Sequence, residues 1–272
     1  MKKVTPYKTS LDAGNAYWMA RLASEAYLST STDNPTPDND AILMNLKADD
    51  HKFISVFGVN KKSAQAILIE HEHYLCMAFR GTDEMADWLD NINAFPTKEL
   101  FGEFHRGFWH SLDDVWYQLY KTYCLLQKIK KRPLFFTGHS LGGAMATIAA
   151  AKFIHLDEPF TSVYTFGQPR VVSRHTAQIY NMECKNRFFR FHNNNDIVTR
   201  IPSRMMGYSH VGRYFYISEE KTIHQEPGYW FRFIDYFDGA VSATQEKGFD
   251  GIEDHGMEHY LNAITKWQLE SD

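Results

Sequence analysis

The feature that most constrains the fold is the stretch FFTGHSLGGA at residues 135–144, which contains the pattern Gly-x-Ser-x-Gly. Residues 134–137 are apolar and of strand length, and the small residues from Leu141 onward are typical of a close-packed helix. A strand that turns directly into a helix requires glycines beside the central residue, because side chains there would collide with neighbouring backbone. The stretch therefore predicts a strand, a tight turn centred on Ser140 and a helix.

Ser140 has two interpretations. In the first it is an activated nucleophile, held outward at the carboxyl end of a strand, where the N–H of Leu141 points to the space in which an oxyanion could form. In the second it is a capping serine in a glycine-rich turn. A phosphate-binding P-loop is excluded, because no Gly-Lys-Ser/Thr follows. The strand-to-helix context favours the nucleophile.

The rest of the chain alternates strand and helix patterns. Helices are predicted at residues 16–27 and 108–130, the latter amphipathic, and a polar cluster at residues 29–40 is predicted to be a loop that leads into the sheet. The predicted strands are residues 53–57, 64–70, 74–79, 134–137, 162–166, 187–192 and 211–217. Such alternation predicts an α/β fold with a mostly parallel central sheet flanked by helices. No linker or repeat divides the chain, so residues 1–272 are expected to form one domain.

Composition narrows the functional classes. The formal net charge of −4 gives no reason to expect a nucleic-acid partner. No apolar run approaches the length of a transmembrane segment, and no apolar stretch of the signal-peptide kind follows the first lysines. The three cysteines are widely spaced, which favours reduced thiols over a disulfide framework or a zinc site. We expect a cytoplasmic protein, with secretion, leaderless or by another route, as the alternative.

Six sequence motifs, within roughly residues 15–265, occur in a fixed order. They are Phe79-Arg80-Gly81-Thr82 with Asp87-Trp88, His105-Arg106-Gly107-Phe108, the pentapeptide around Ser140, Phe166-Gly167-Gln168-Pro169-Arg170-Val171, Asn195-Asp196-Ile197-Val198 with Ile201-Pro202, and Asp254-His255 with Tyr260. Together they resemble the class 3 lipases, the α/β-hydrolases that include fungal triacylglycerol lipases and plant phospholipase A1-like enzymes. The resemblance implies an α/β-hydrolase fold and an active site built on a serine, an acid and a histidine.

A serine hydroxyl needs a base within hydrogen-bond reach and an acid that orients this base. Because the order in α/β-hydrolases is serine, acid, histidine, only histidines after Ser140 qualify; these include His192, His210, His224, His255 and His259. Asp196 follows a predicted strand, although a loop aspartate can also be a plain turn former. His255 lies where a loop meets a helix that runs to Trp267, and His259 is its rival. The resemblance assigns the acid to Asp196 and the base to His255.

A metal site is a further interpretation of the His255 and His259 pair. The Glu that a zinc protease would need after the first histidine is absent, and no third ligand is evident, so no metal is expected.

The oxyanion hole and a covering helix are also predicted. Leu141 would supply one N–H donor, and the resemblance assigns the second to Thr82, whose segment could equally be a plain strand-ending turn. An apolar stripe on a short predicted helix follows, formed by Met85, Trp88, Leu89, Ile92 and Phe95. This helix is either an ordinary surface helix or a lid over the acyl pocket that turns its apolar face to lipid. An aromatic cluster at residues 229–237 could line the same pocket.

The resemblance implies a hydrolase of carboxylic esters, with triacylglycerols as the expected substrates, transient contact with a lipid interface and no cofactor. A phospholipase A1, an esterase for short-chain or aromatic esters, and a lipase-like binding protein without activity are the alternatives. The sequence indicates neither the acyl chain length nor the oligomeric state.

Overall fold

An eight-stranded mixed sheet forms the centre of the structure. The structure is a computed structural model and describes residues 2–30, 36–62, 64–82, 95–226 and 253–267. Its strands are β1 (Phe53–Lys61), β2 (Ala64–His71), β3 (Leu75–Phe79), β4 (Pro96–Glu99), β5 (Gly102–His105), β6 (Leu134–His139), β7 (Ser162–Phe166), β8 (Val172–Ser173), β9 (Phe188–Asn193), β10 (Tyr208–Ser209), β11 (Arg213–Ile217) and β12 (Ile223–Gln225).

Helices connect these strands and cover both faces of the sheet. The α-helices of the described ranges are α1 (Ala13–Glu25), α2 (Asn39–Asp49), α3 (Arg106–Ile129), α4 (Leu141–His155), α5 (Arg174–Cys184) and α6 (Met257–Lys266). Short 3₁₀ turns cover Lys185–Arg187, Val198–Arg200 and Arg204–Met206. Within these ranges, no helix combines the length and the apolar composition needed to cross a bilayer.

The strand order of the large sheet is β1-β2-β3-β6-β7-β9-β11-β12. Strands β3, β6, β7, β9 and β11 are parallel, whereas the outer strands β1, β2 and β12 pair antiparallel. Parallel neighbours end at one edge of a sheet, and here Phe79 pairs with Gly138, and His139 with Phe166. We call this edge the carboxyl edge. The segments that hold Thr82, Ser140 and Asp196 all begin there.

The core has one apolar layer on each face of the large sheet. Side chains alternate between the faces of a strand, so Phe136 packs with α3, α4 and α5 while Phe135 packs with α1, α2 and α6. The amphipathic helix α3 buries Phe108, Leu112 and Val115 among other apolar residues. This helix–sheet–helix arrangement is the α/β architecture that the alternating sequence pattern predicts.

Most predicted elements are confirmed, with residues 162–166 reproduced as β7. The connection after α1 was predicted wrongly, because α2 lies between the polar cluster and the sheet. Asp38 of that cluster is the N-cap of α2 and its carboxylate accepts a hydrogen bond from the N–H of Ala41 at 3.1 Å. The last predicted strand, at residues 211–217, begins two residues later, at Arg213.

A second, four-stranded antiparallel sheet has the order β10-β8-β5-β4. It lies at the carboxyl edge, because β8 follows β7 after a short turn and the N–H of His105 at the end of β5 donates to the carbonyl of Val171 at 2.8 Å. None of these four strands is predicted from the sequence pattern.

Candidate active site

Ser140 occupies a strained backbone conformation between β6 and α4. Its φ of 58° and ψ of −128° are unfavourable for a residue with a side chain. Two hydrogen bonds fix it: its N–H donates to the carbonyl of Phe166 at 2.9 Å, and its carbonyl accepts from the N–H of Gly143 at 2.9 Å. Strain of this kind persists only where the surroundings impose it, so the turn is rigidly held.

The two glycines of the pentapeptide are required by close backbone approaches. A Cβ at Gly138 would lie 2.3 Å from the carbonyl oxygen of Gly142, and a Cβ at Gly142 would lie 2.0 Å from that of Phe79. Both separations are far below any tolerable contact. The steric reason predicted for the pattern is therefore confirmed, and it brings the end of β3 directly against the serine turn.

The structure brings Asp196 and His255 into contact although 59 residues separate them. Nδ1 of His255 lies 2.9 Å from Oδ2 and 3.0 Å from Oδ1 of the carboxylate, and both residues are buried. A charged carboxylate only accepts, so Nδ1 carries the proton and the lone pair of the neutral ring lies on Nε2. Nε2 is buried and has no hydrogen-bond partner among the described residues. This arrangement leaves Nε2 of His255 able to accept a proton.

Tyr260 is a second donor to the same carboxylate. Its O–H donates to Oδ2 of Asp196 and its oxygen accepts from the N–H of Asn193 at 3.0 Å. Burial by itself raises the pKa of Asp196, but the charge and hydrogen bond of His255 and the hydrogen bond of Tyr260 outweigh it, so the pKa lies below its ordinary value. Asp196 is therefore ionised at neutral pH.

Asp254 connects the segment that holds the base to the loop that holds the acid. Its carboxylate accepts from Nδ2 of Asn194 at 2.9 Å and from the N–H of Asn195 at 3.1 Å, and its carbonyl accepts from Nδ2 of Asn193 at 2.8 Å. The sequence analysis noted Asp254 and Tyr260 only as parts of a motif and missed these contacts. The run of three asparagines before Asp196 was the available signal, because asparagine side chains commonly bridge loop segments.

His139 holds the backbone of His255 in place. A carbonyl only accepts, so Nε2–H of His139 donates to the carbonyl of His255 at 2.6 Å, while Nδ1 accepts from the hydroxyl of Tyr27 at 2.6 Å. The two imidazole rings lie 4.4 Å apart between centroids. Burial, and secondarily the neighbouring His255, lower the pKa of His139 to about 3, so it is neutral and its tautomer is fixed.

Tyr27 extends these contacts to the segment after β3. Its hydroxyl oxygen accepts from the N–H of Gly81 at 3.2 Å. A Cβ at Gly81 would lie 2.9 Å from Cβ of Ser140. The segment leading to Thr82 therefore passes directly against the serine, as does Leu141, which is the first residue of α4. Both predicted oxyanion donors belong to backbone segments that adjoin Ser140.

Gly167 provides the space in which the acid and the base meet. It has a φ of 58°, and a Cβ there would lie 2.8 Å from Cε1 of His255 and 2.9 Å from Oδ2 of Asp196. Only glycine combines this backbone conformation with so close an approach. The Phe-Gly-Gln-Pro turn thus has a steric role in the site.

Known proteins with the same pattern identify the family. The model of the class 3 lipases, described as "Lipase (class 3)", matches residues 76–206, a range that includes Ser140 and Asp196. The range of residues 76–206 belongs to the class 3 lipase family. His255 lies outside the matched range, and its contact with Asp196 comes from the structure alone.

Two curated relatives give the range of similarity. A lipase of Rhizomucor miehei is 30% identical over 160 residues, which is 55% of this chain and 43% of that protein. The secreted mono- and diacylglycerol lipase A of Penicillium cyclopium is 29% identical over 163 residues, which is 57% of this chain and 52% of that protein. The chain thus spans about half the length of the curated relatives it matches.

A solved structure shows that the likeness in fold extends further. The crystal structure of a mutant of MDLA from Penicillium cyclopium has a TM-score of 0.68 to this chain at 21% identity, and the alignment covers 88% of this chain and 92% of that one. The likeness in fold therefore extends over most of the chain, beyond the range that the family model matches.

The other predicted site residues of this chain lie in different places. Met85, Trp88, Leu89 and Ile92, and the aromatic cluster at residues 229–237, lie outside the described residues. Phe95 is described: it precedes β4, is 53% exposed, and its ring centroid lies 5.0 Å from the guanidinium of Arg106.

The alternative histidines have other contacts. His192 lies against Thr199 and Tyr214, and His210 donates to the carbonyl of Thr199 at 2.7 Å. His259 is partly exposed, 3.9 Å from Glu258. Of the histidines after Ser140 in the described ranges, His255 is the one in contact with the carboxylate of Asp196.

Proposed function

We propose that this chain hydrolyses carboxylic esters and that acylglycerols are its substrates. The observation that carries the proposal is the buried contact between Asp196 and His255, which leaves Nε2 of the imidazole as a base beside the strained serine turn. His139, the residue before Ser140, donates a hydrogen bond to the backbone carbonyl of His255. This hydrogen bond holds the proposed base next to the turn of the proposed nucleophile.

In the acylation step, Oγ of Ser140 attacks the ester carbonyl carbon and its proton passes to Nε2 of His255. The carboxylate of Asp196 stabilises the imidazolium that forms. The N–H groups of Thr82 and Leu141 donate to the oxygen of the tetrahedral intermediate. The ester C–O bond then breaks, the alcohol leaves with the proton from His255, and the acyl group remains on Ser140.

In the deacylation step, water takes the place of the alcohol. His255 removes a proton from this water as it attacks the acyl carbonyl, and the same two N–H groups stabilise the second tetrahedral intermediate. The bond to Oγ breaks, Ser140 regains its proton and the fatty acid leaves. The pKa of Asp196 is lowered, so its carboxylate stays charged at neutral pH and stabilises the imidazolium in both steps.

The substrate class rests on family membership. The two relatives are named as a lipase and as a mono- and diacylglycerol lipase, which supports acylglycerol esters as substrates of this chain. The described residues leave the acyl chain length and the head group open, and a panel of esters separates an acylglycerol lipase from a phospholipase A1 or a short-chain esterase.

The experiment compares the wild-type protein with Ser140→Ala on emulsified triacylglycerol, diacylglycerol, phosphatidylcholine and p-nitrophenyl esters of graded chain length. We expect the highest rate on acylglycerols and a loss of about a thousandfold or more in Ser140→Ala. A fluorophosphonate should label the wild-type protein and not the variant. Near-normal activity of Ser140→Ala would refute the assignment of the nucleophile, and an unlabelled wild-type protein would favour a binding protein.

A further inference from the structure

The turn at residues 204–207 presents two adjacent methionines to the outside, and we call it the methionine turn. Met205 is 85% exposed and Met206 is 59% exposed. Gly207 has a φ of 86°, and a Cβ there would meet nothing within 4 Å. The turn therefore projects into open space, where two apolar side chains have no compensating burial.

Hydrogen bonds place the methionine turn at the carboxyl edge. The N–H of Arg174, the first residue of α5, donates to the carbonyl of Gly207 at 3.1 Å, and Nη2 of Arg174 donates to the carbonyl of Arg204 at 2.8 Å. Gly212, five residues further on, instead bonds to Oδ1 of Asn181 at 2.7 Å, about 10 Å along α5. After the turn, the chain thus runs along α5 from its first residue towards its carboxyl end. The turn itself lies beside the first residue of α5.

The start of α5 is on the same side of the molecule as Ser140. Strand β8 ends at Ser173, directly before α5, and follows the carboxyl end of β7. Strand β7 pairs with β6, which leads into Ser140. The exposed methionines and the proposed nucleophile therefore share the carboxyl edge.

The four-stranded sheet has a second exposed apolar side chain at its other edge. Phe95 precedes β4, while the methionine turn precedes β10, and the two strands are about 14 Å apart at about 4.8 Å per strand. Arginines flank both edges, with Arg106 beside Phe95 and Arg174 beside the turn. Exposed apolar side chains bordered by cations suit a surface of acyl chains beneath anionic headgroups.

We infer that the methionine turn is a lipid-contact site that inserts Met205 and Met206 into the surface of a bilayer or emulsion bearing anionic headgroups. This inference rests on the proposed function, because an enzyme for acylglycerols must reach substrates that lie in such a surface. Contact at the turn presents the carboxyl edge, with Ser140, to the lipid. The exposed side chain of Arg174 then lies at the level of the headgroups.

The test measures cosedimentation with vesicles of phosphatidylcholine mixed with phosphatidylglycerol, with every protein carrying Ser140→Ala. The variant is Met205→Glu. The matched control is Met182→Glu, which changes a methionine that is 78% exposed on α5, about 12 Å along the helix from Arg174 and towards the opposite edge of the sheet.

We expect Met205→Glu to bind the vesicles about tenfold more weakly and Met182→Glu to bind as the parent does. Equal binding by Met205→Glu and the parent, or an equal loss in both variants, would overturn the inference. Because the proteins are inactive, the result does not depend on hydrolysis. A wild-type protein without esterase activity would refute the proposed function alone, whereas the vesicle result judges the methionine turn alone.

Discussion

Replacing His139 with glutamine tests whether the neutral state of this buried ring makes the stability of the fold depend on pH. His139 is 4% exposed, donates to the carbonyl of His255 and accepts from Tyr27, and its pKa is about 3. Its protonation would remove the acceptor of the Tyr27 hydroxyl and place a charge in the core. Glutamine lacks the titration and keeps an amide that can donate.

The direction of this pH dependence follows because the pKa of His139 is lower in the folded state than in the unfolded chain. The stability that the neutral ring provides is fully present above its ordinary pKa of 6.5 and is lost as the pH falls towards about 3. Because one pKa unit corresponds to about 1.4 kcal/mol, the whole loss is on the order of 5 kcal/mol. At about pH 4.5, about two units below the ordinary pKa, the loss is about 3 kcal/mol.

The assay is urea unfolding of wild type and His139→Gln at about pH 7 and about pH 4.5. The variant is less stable at neutral pH, but we expect the difference in unfolding free energy to shrink by about 3 kcal/mol at the lower pH. The other titratable groups are the same in both proteins, so their pH-dependent contributions cancel in the difference between the two unfolding free energies. A difference that is the same at both pH values would refute the reasoning.

Three further changes test the geometry of the site through unfolding free energies and rates. Gly167→Ala should destabilise the protein by at least about 2 kcal/mol more than Gly207→Ala, because both glycines have positive φ but only at Gly167 does a Cβ overlap the acid–base pair; equal losses would contradict this. Ser140→Gly should be about 1 kcal/mol more stable than Ser140→Ala, since glycine tolerates the strained turn; equal stability would mean that the turn stores no strain. Asp254→Ala should lower kcat for a p-nitrophenyl ester about tenfold, whereas Glu253→Ala, an exposed neighbour, should not.

The serine turn could be predicted because its causes are local. Two glycines, one strand and one helix lie within about ten residues, and steric exclusion between near neighbours decides their arrangement. The position of His255 at a loop-to-helix boundary could be predicted for the same reason. The contact of His139 with Tyr27 joins residues 112 positions apart, and no periodicity or turn pattern at either position indicates it. It follows only from how α1 packs against the sheet.

The elements that sequence reasoning missed are short or depend on tertiary contacts. Strands β8 and β10 have two residues each, too few for an alternating pattern to appear. Helix α2 was missed because its N-cap, Asp38, lies in a cluster of Pro, Asn and Asp that equally suits a loop. The long helix α3 and the buried strand β6, whose patterns span many residues or a continuous apolar run, were predicted nearly to their ends.

His255 is held from three directions before any substrate binds. Asp196 accepts a hydrogen bond from the imidazole of His255, and His139 donates one to its backbone carbonyl. Gly167 leaves only enough space for the imidazole to lie against the Asp196 carboxylate. The proposed base is thus oriented during folding. A site that is oriented in advance reacts faster, because its groups do not have to be ordered again in each turnover. The cost falls on stability, because Ser140 is held in an unfavourable backbone conformation. A change that relieves this strain should therefore stabilise the fold.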